Sequence, residues 1–157
     1  MGLKEKLEGN RTELMKAKLK ATGEERATLD LRLGGVRGVL AAIGKEEVAG
    51  KAAKTLSEDE VLAVVRREVK QLEEGAEAFQ GGGATERAAE ETVKAQHLRT
   101  FLPILLDEAA TRQLVEGLIA EHGIASQKEL GKLMGLLKSN SQVDKGLASK
   151  VARELLS

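Results

Sequence analysis

His97 and His122 are the only imidazoles in the chain, and there is no cysteine, so disulfides, thiolate metal sites and thiol nucleophiles are excluded. Neither histidine has a carboxylate or a second imidazole at helical ligand spacing, so no zinc site is expected. A Ser/His/Asp triad assembles in space and is not excluded by residue order, but no Gly-x-Ser-x-Gly elbow presents a nucleophile. Gly44-Lys45, Gly50-Lys51 and Gly131-Lys132 lack the upstream glycine and the following Ser/Thr of a phosphate-cradling loop. The paired carboxylates Glu46-Glu47, Glu73-Glu74 and Glu90-Glu91 are adjacent in sequence, so on a helix they splay apart instead of converging. The sequence therefore assigns no catalytic residue, no metal ligand and no cofactor.

Charge is the other chemistry available. Lys plus Arg number 25 and Asp plus Glu 25, and the zero net charge excludes a chain-wide basic coat for nucleic acid. The distribution is uneven. Residues 1–56 carry 12 basic and 8 acidic residues, a net of +4, and residues 57–110 carry 6 and 12, a net of −6. Residues 111–157 return to 7 and 5, a net of +2. Lys128, Lys132, Lys138, Lys145, Lys150 and Arg153 stand against only Glu129 and Asp144 within 126–153, a local +4. Such a run is either a solvated helix face or a set of phosphate contacts.

The elements that must carry these residues are helical. Leu occurs 24 times and Ala 21, against 11 Val and 4 Ile, which favours helix over strand. Leu3, Leu7 and Leu14 share a face from Leu3 to about Lys20, and Ala21-Thr22-Gly23 breaks the pattern. A second helix from Glu24 to Val48 repeats Leu29, Leu33, Val36, Leu40 and Ile43, while Gly34 and Gly38, four apart, offer a face for close helix approach. Ser57-Glu58-Asp59-Glu60 reads as a capping box, followed by the stripe Val61, Val65, Val69, Leu72, Ala76 and Phe79. Gly81-Gly82-Gly83 is expected as a flexible turn before a fourth helix from Thr85 to Phe101, which Pro103 prevents from continuing.

Beyond Pro103, Leu114, Val115, Leu118 and Ile119 mark a helix closing at His122-Gly123, where Gly suits the C-cap and a cation suits the last turn. Ser126 and Glu129 read as a second capping box ahead of Leu130, Leu133, Met134 and Leu137. Asn140-Ser141 is expected to turn the chain into a last helix bearing Leu147, Val151 and Leu155. The expectation is an all-α chain of seven helices, with an N-terminal helical domain over 1–103 and a three-helix tail over 104–157. No 18-residue apolar run spans a membrane, and MGLKEKLEGN has no apolar core of a secretory signal. A cytoplasmic protein is expected.

Several segments resemble one family. Met1-Gly2-Leu3-Lys4-Glu5-Lys6-Leu7, Ala41-Ala42-Ile43, Leu56-Ser57-Glu58-Asp59-Glu60-Val61-Leu62 and Glu68-Val69-Lys70 are similar to stretches of YqeY-like proteins of the GatB/YqeY family. Phe101-Leu102-Pro103 resembles the family's Tyr-Leu-Pro, and Gly131-Lys132-Leu133-Met134 resembles its Met-Gly-Lys-Val-Met. Two departures stand near the end. Val143-Asp144-Lys145-Gly146 replaces the family's Ala-Asp-Gly, and Ser141-Gln142 replaces a Gly-Lys/Arg pair. The resemblance implies a tail similar to that of the B subunit of the glutamine-dependent tRNA amidotransferase, where the tail is associated with holding tRNA. The carbon–nitrogen ligase chemistry of that enzyme lies in domains this sequence does not contain. The reading that follows is a non-catalytic helical module binding tRNA, or an amidotransferase or aminoacyl-tRNA synthetase, with Lys128, Lys132, Lys138, Lys145 and Lys150 as phosphate contacts. The alternative is a protein–protein adaptor in which the acidic middle segment meets a basic partner.

Overall fold

The computed structural model describes residues 1–140 and 142–157. Among these there are seven α-helices and one 3-10 turn, with no strand: α1 (Leu3–Lys20), α2 (Gly23–Glu47), α3 (Glu58–Gly81), α4 (Thr85–Arg99), α5 (Glu108–His122), the 3-10 turn (Gln127–Glu129), α6 (Leu130–Leu137) and α7 (Lys145–Leu155). The chain divides into two compact units, Met1–Leu102 and Pro103–Ser157, each with its own core.

The first unit packs α3 against α4, α1 against α2 and α2 against α4. Its core contains Leu3, Leu7 and Leu14 of α1, Leu33, Val36, Val39 and Ile43 of α2, and Val61, Val64, Val65 and Val69 of α3. Ala95 and Leu98 of α4 complete the interior. Both halves of the Ser57–Glu60 capping box form, the Glu60 amide donating to Ser57 Oγ at 3.2 Å and the Ser57 amide to Glu60 Oε2 at 2.9 Å. Glu47 ties the start of the chain to the loop before α3, accepting from Lys4 Nζ at 2.8 Å and from the Leu56 amide at 3.3 Å.

Three local expectations are refined. First, α4 ends at Arg99, because Thr100, Phe101 and Leu102 tighten into i→i−3 bonds to His97, Leu98 and Arg99 ahead of Pro103. Second, the three glycines form a closed turn in which Gly82, Gly83 and Ala84 donate to Ala78, Gln80 and Phe79, and only Gly83 takes a positive φ, +82°. Third, the close approach to α2 falls on Gly35, not on Gly34 and Gly38. A Cβ at Gly35 would stand 3.3 Å from Lys94 Cβ of α4, whereas one at Gly38 would meet nothing within 4 Å. The reason is angular: Gly34 and Gly38 lie on the side of α2 turned away from Leu33, Val36 and Ile43. Gly38→Ala should therefore stabilise the unit by about 0.5–1 kcal/mol. Gly35→Leu should cost about 1–3 kcal/mol by overpacking against α4. Thermal melts of the two variants moving in the same direction would contradict this packing.

The second unit is built on Val115, Ile124, Leu133, Leu137, Val143, Ala148, Val151 and Ala152. Asp107 caps α5, accepting from the Ala110 amide at 2.8 Å, and Asp144 caps α7, accepting from Leu147 at 3.1 Å. Gly123 closes α5 in the left-handed region at φ +63°, as its position after His122 requires. The capping box expected at Ser126 and Glu129 does not form. Residues 127–129 wind into a 3-10 turn, the Ser126 side chain makes no cap bond, and Glu129 accepts from the Ala125 amide at 3.0 Å instead. The turn expected at Asn140-Ser141 falls partly on residue 141, which lies outside the described residues.

Candidate nucleic-acid interface

Two hydrogen bonds set the frame for the basic residues of the second unit. Lys145 Nζ at the start of α7 donates to the carbonyls of Leu137, the last residue of α6, and of Asn140 in the loop after it, at 2.5 and 2.7 Å. Gln127 Nε2, just before α6, donates to the Arg153 carbonyl near the end of α7 at 3.3 Å. The start of each helix thus meets the end of the other, so α6 and α7 run antiparallel. Leu133 and Leu137 of α6 and Ala148, Val151 and Ala152 of α7 turn inward.

That inward seam decides where the cations go. Lys132 sits on the side of α6 away from Leu133 and Leu137, and is exposed. Lys150 and Arg153, three apart, share the side of α7 opposite Ala148, Val151 and Ala152 and are exposed as well. Lys128 is exposed on the 3-10 turn, and Lys138 is exposed at the C-cap of α6. Because the helical register breaks at Glu129 (φ −96°, ψ 8°), Lys128 and Lys132, four apart in sequence, do not share one uninterrupted α-helical face.

Among the described residues, Lys128, Lys132, Lys138, Lys150 and Arg153 enter no side-chain ion pair. The acidic groups nearby are engaged. Asp144 and Glu129 hold backbone amides, and Glu154 accepts from Arg112 at 2.7 Å. Capping does not neutralise a carboxylate, but it fixes where the charge sits, at a helix N-terminus whose partial positive charge it offsets. The exposed cations are left available to an outside anion. Lys145 differs from the rest, since its ammonium donates to the Leu137 and Asn140 carbonyls, which also accept from the Asn140 and Val143 amides. Its role in this structure is to join α6 to α7.

Charge counting registered Arg153 only as part of a sum. Its three-residue spacing from Lys150 was the signal that could have placed it on the same face. The capping role of Lys145 left no sequence signal, because both of its acceptors are backbone oxygens.

The histidines take structural positions. His97 Nε2 lies 2.8 Å from Asn10 Oδ1, and its ring meets Phe101 edge-on at 5.6 Å between centroids. Burial, with Arg32 adding to it, holds His97 below its ordinary value and so favours the neutral ring. His122 occupies the last turn of α5. Among the described residues no group of three His, Asp or Glu side chains is placed to hold a metal ion, and no helix is long and apolar enough to cross a membrane.

In comparisons with known proteins, residues 4–156 match a family model described as Yqey-like protein. No curated protein matches the chain.

Proposed function

The chain belongs to the YqeY-like family, and from that premise we propose that its Pro103–Ser157 unit binds folded RNA, tRNA foremost, as a non-catalytic module. The observation that carries this reading is the set of exposed cations of this unit, Lys128 on the 3-10 turn, Lys132 on α6, Lys138 at its C-cap, and Lys150 and Arg153 on α7, free of ion pairs among the described residues. Five such groups on a unit this small offer several contacts to a phosphate backbone, and such contacts position the protein without reading bases. The unit contains no Phe, Trp or Tyr, so it lacks the stacking platform that single-strand readers use. Recognition by shape, through lysines and backbone, is the mode that such a surface supports.

The implied likeness to the amidotransferase tail supports the same ligand class. It brings with it a second possibility for the partner, namely an amidotransferase or an aminoacyl-tRNA synthetase carrying its own tRNA. The adaptor reading draws on a different feature, the acidic α3–α4 segment, and does not compete for the same residues.

Titrating the purified full chain with tRNA over a salt series tests the proposal. Each phosphate contact should add about 0.7–0.9 to the slope of log affinity against log salt concentration. Three or more contacts therefore predict a slope steeper than about −2. Absence of binding at low salt, or binding indifferent to salt, would sink the RNA reading and leave the adaptor reading in its place.

A further inference from the structure

The distal half of the α3–α4 hairpin holds an open groove of about 510 Å³. On α4 its lining residues recur at 85, 88, 89, 92 and 93, a single helix stripe, and Ala76, Glu77 and Gln80 line it from α3. The floor is formed of small or apolar groups, Ala76, Ala88, Ala89 and Val93. The stripe spans nine residues from Thr85 to Val93, roughly 12 Å or two helical turns.

The carboxylates of this hairpin fall into two sets. Glu73 accepts from Arg99 at 2.5 Å, Glu91 from Lys94 at 3.1 Å, and Glu74 stands 3.9 Å from Lys70. Glu77, Glu86 and Glu90 enter no ion pair among the described residues. Glu77 lines the groove from α3, while helix geometry puts Glu86 and Glu90, four apart on α4, next to the stripe on its side away from α3. Arg87, the one cation between residues 73 and 93, lies over the Phe79 ring at 5.8 Å, on the side of α4 away from the stripe.

We propose that this groove docks a basic amphipathic α-helix of a partner protein. The floor of small side chains admits a helix whose apolar stripe packs closely, and the rim carboxylates meet Lys or Arg on either side of that stripe. A nucleic acid is disfavoured by the charge of the rim, and a small polycation would gain nothing from the apolar floor. This surface lies in the Met1–Leu102 unit and shares no residue with the cations of α6 and α7, so it stands or falls independently of the RNA reading.

The test uses the full chain and a labelled synthetic helix of about 14 residues, on the order of four turns. Its Ala and Leu are placed at i, i+3, i+4 and i+7, with Lys on both flanks. A scrambled peptide of the same composition is the comparison. The amphipathic peptide should bind in a salt-sensitive manner, the scrambled one much more weakly. The combined change Glu77→Gln, Glu86→Gln and Glu90→Gln should weaken binding about tenfold, in line with three exposed charge pairs. Ala89→Glu separates the groove from simple attraction, since it adds negative charge while filling the floor. Docking predicts weaker binding in that variant, whereas attraction alone predicts tighter binding. Lys132→Glu should leave peptide binding unchanged, and circular dichroism should show every variant as helical as the parent. Equal binding of the scrambled peptide, or unchanged or tighter binding in Ala89→Glu, would overturn the proposal. So would a concentration-dependent dimer abolished by Ala89→Glu, because the occupant would then be a second copy of this chain.

Discussion

Leu133→Ala will open the Pro103–Ser157 unit while Met1–Leu102 stays folded. Leu133 is fully buried, at 0% exposure, in a cluster with eight buried hydrophobic residues among the described ones. Truncating a buried leucine costs about 2–5 kcal/mol through lost transfer energy and the cavity left behind. A single core in a unit of this size rarely supplies more than about 3–5 kcal/mol, so the substitution consumes most or all of its stability. The first unit has its own interior of Leu7, Val36, Ile43, Val65 and Leu98. Amide hydrogen exchange on the variant should show protection lost in α5, α6 and α7 and retained in α1 to α4. Simultaneous loss in both units would mean that the chain unfolds as one cooperative body.

The second large effect concerns affinity. Lys128→Glu with Lys132→Glu should weaken tRNA binding by roughly a hundredfold at about 50 mM salt, because counterion release makes each phosphate contact worth roughly tenfold there. Both side chains are exposed, so helicity and melting temperature should hold. Lys145→Gln should behave in the opposite way. Its ammonium holds the carbonyls of Leu137 and Asn140, so its loss should lower the stability of the second unit and leave the salt slope nearly unchanged. If the double charge reversal binds tRNA as the parent chain does, these lysines are solvated surface and nothing more. The three variants together separate a phosphate contact from a structural one, which inspection of the sequence treats alike.

Local chemistry accounts for what the sequence made legible and for what it did not. The Ser57–Glu60 box was readable because both partners lie within four residues and the bonds are made inside that window. Ser126 and Glu129 have the same spacing, yet the chain there winds into a 3-10 turn, and the carboxylate serves Ala125. Spacing alone does not distinguish the two outcomes. Gly123 was readable because an αL residue closing a helix strongly favours glycine. Gly35 was not, because its constraint comes from Lys94, a residue 59 positions away on α4. For the candidate interface, the identity and exposure of Lys128, Lys132, Lys138 and Lys150 follow from their place between apolar positions. The withdrawal of Lys145 into a backbone cap depends on how α6 meets α7, which periodicity cannot supply. The acidic groove likewise needs two helices side by side, since Glu77 comes from one and Glu86 and Glu90 from the other.

The central claim is that exposed cations of α6 and α7 contact RNA. Its most direct test is to map backbone amide shifts of the isotope-labelled full chain as tRNA is added at low salt. The account predicts shifts concentrated at Lys128, Lys132, Lys138, Lys150 and Arg153 and their immediate neighbours, fading as salt is raised, with α3 and α4 unmoved. Shifts confined to the Met1–Leu102 unit, or none anywhere at saturating tRNA, would contradict it.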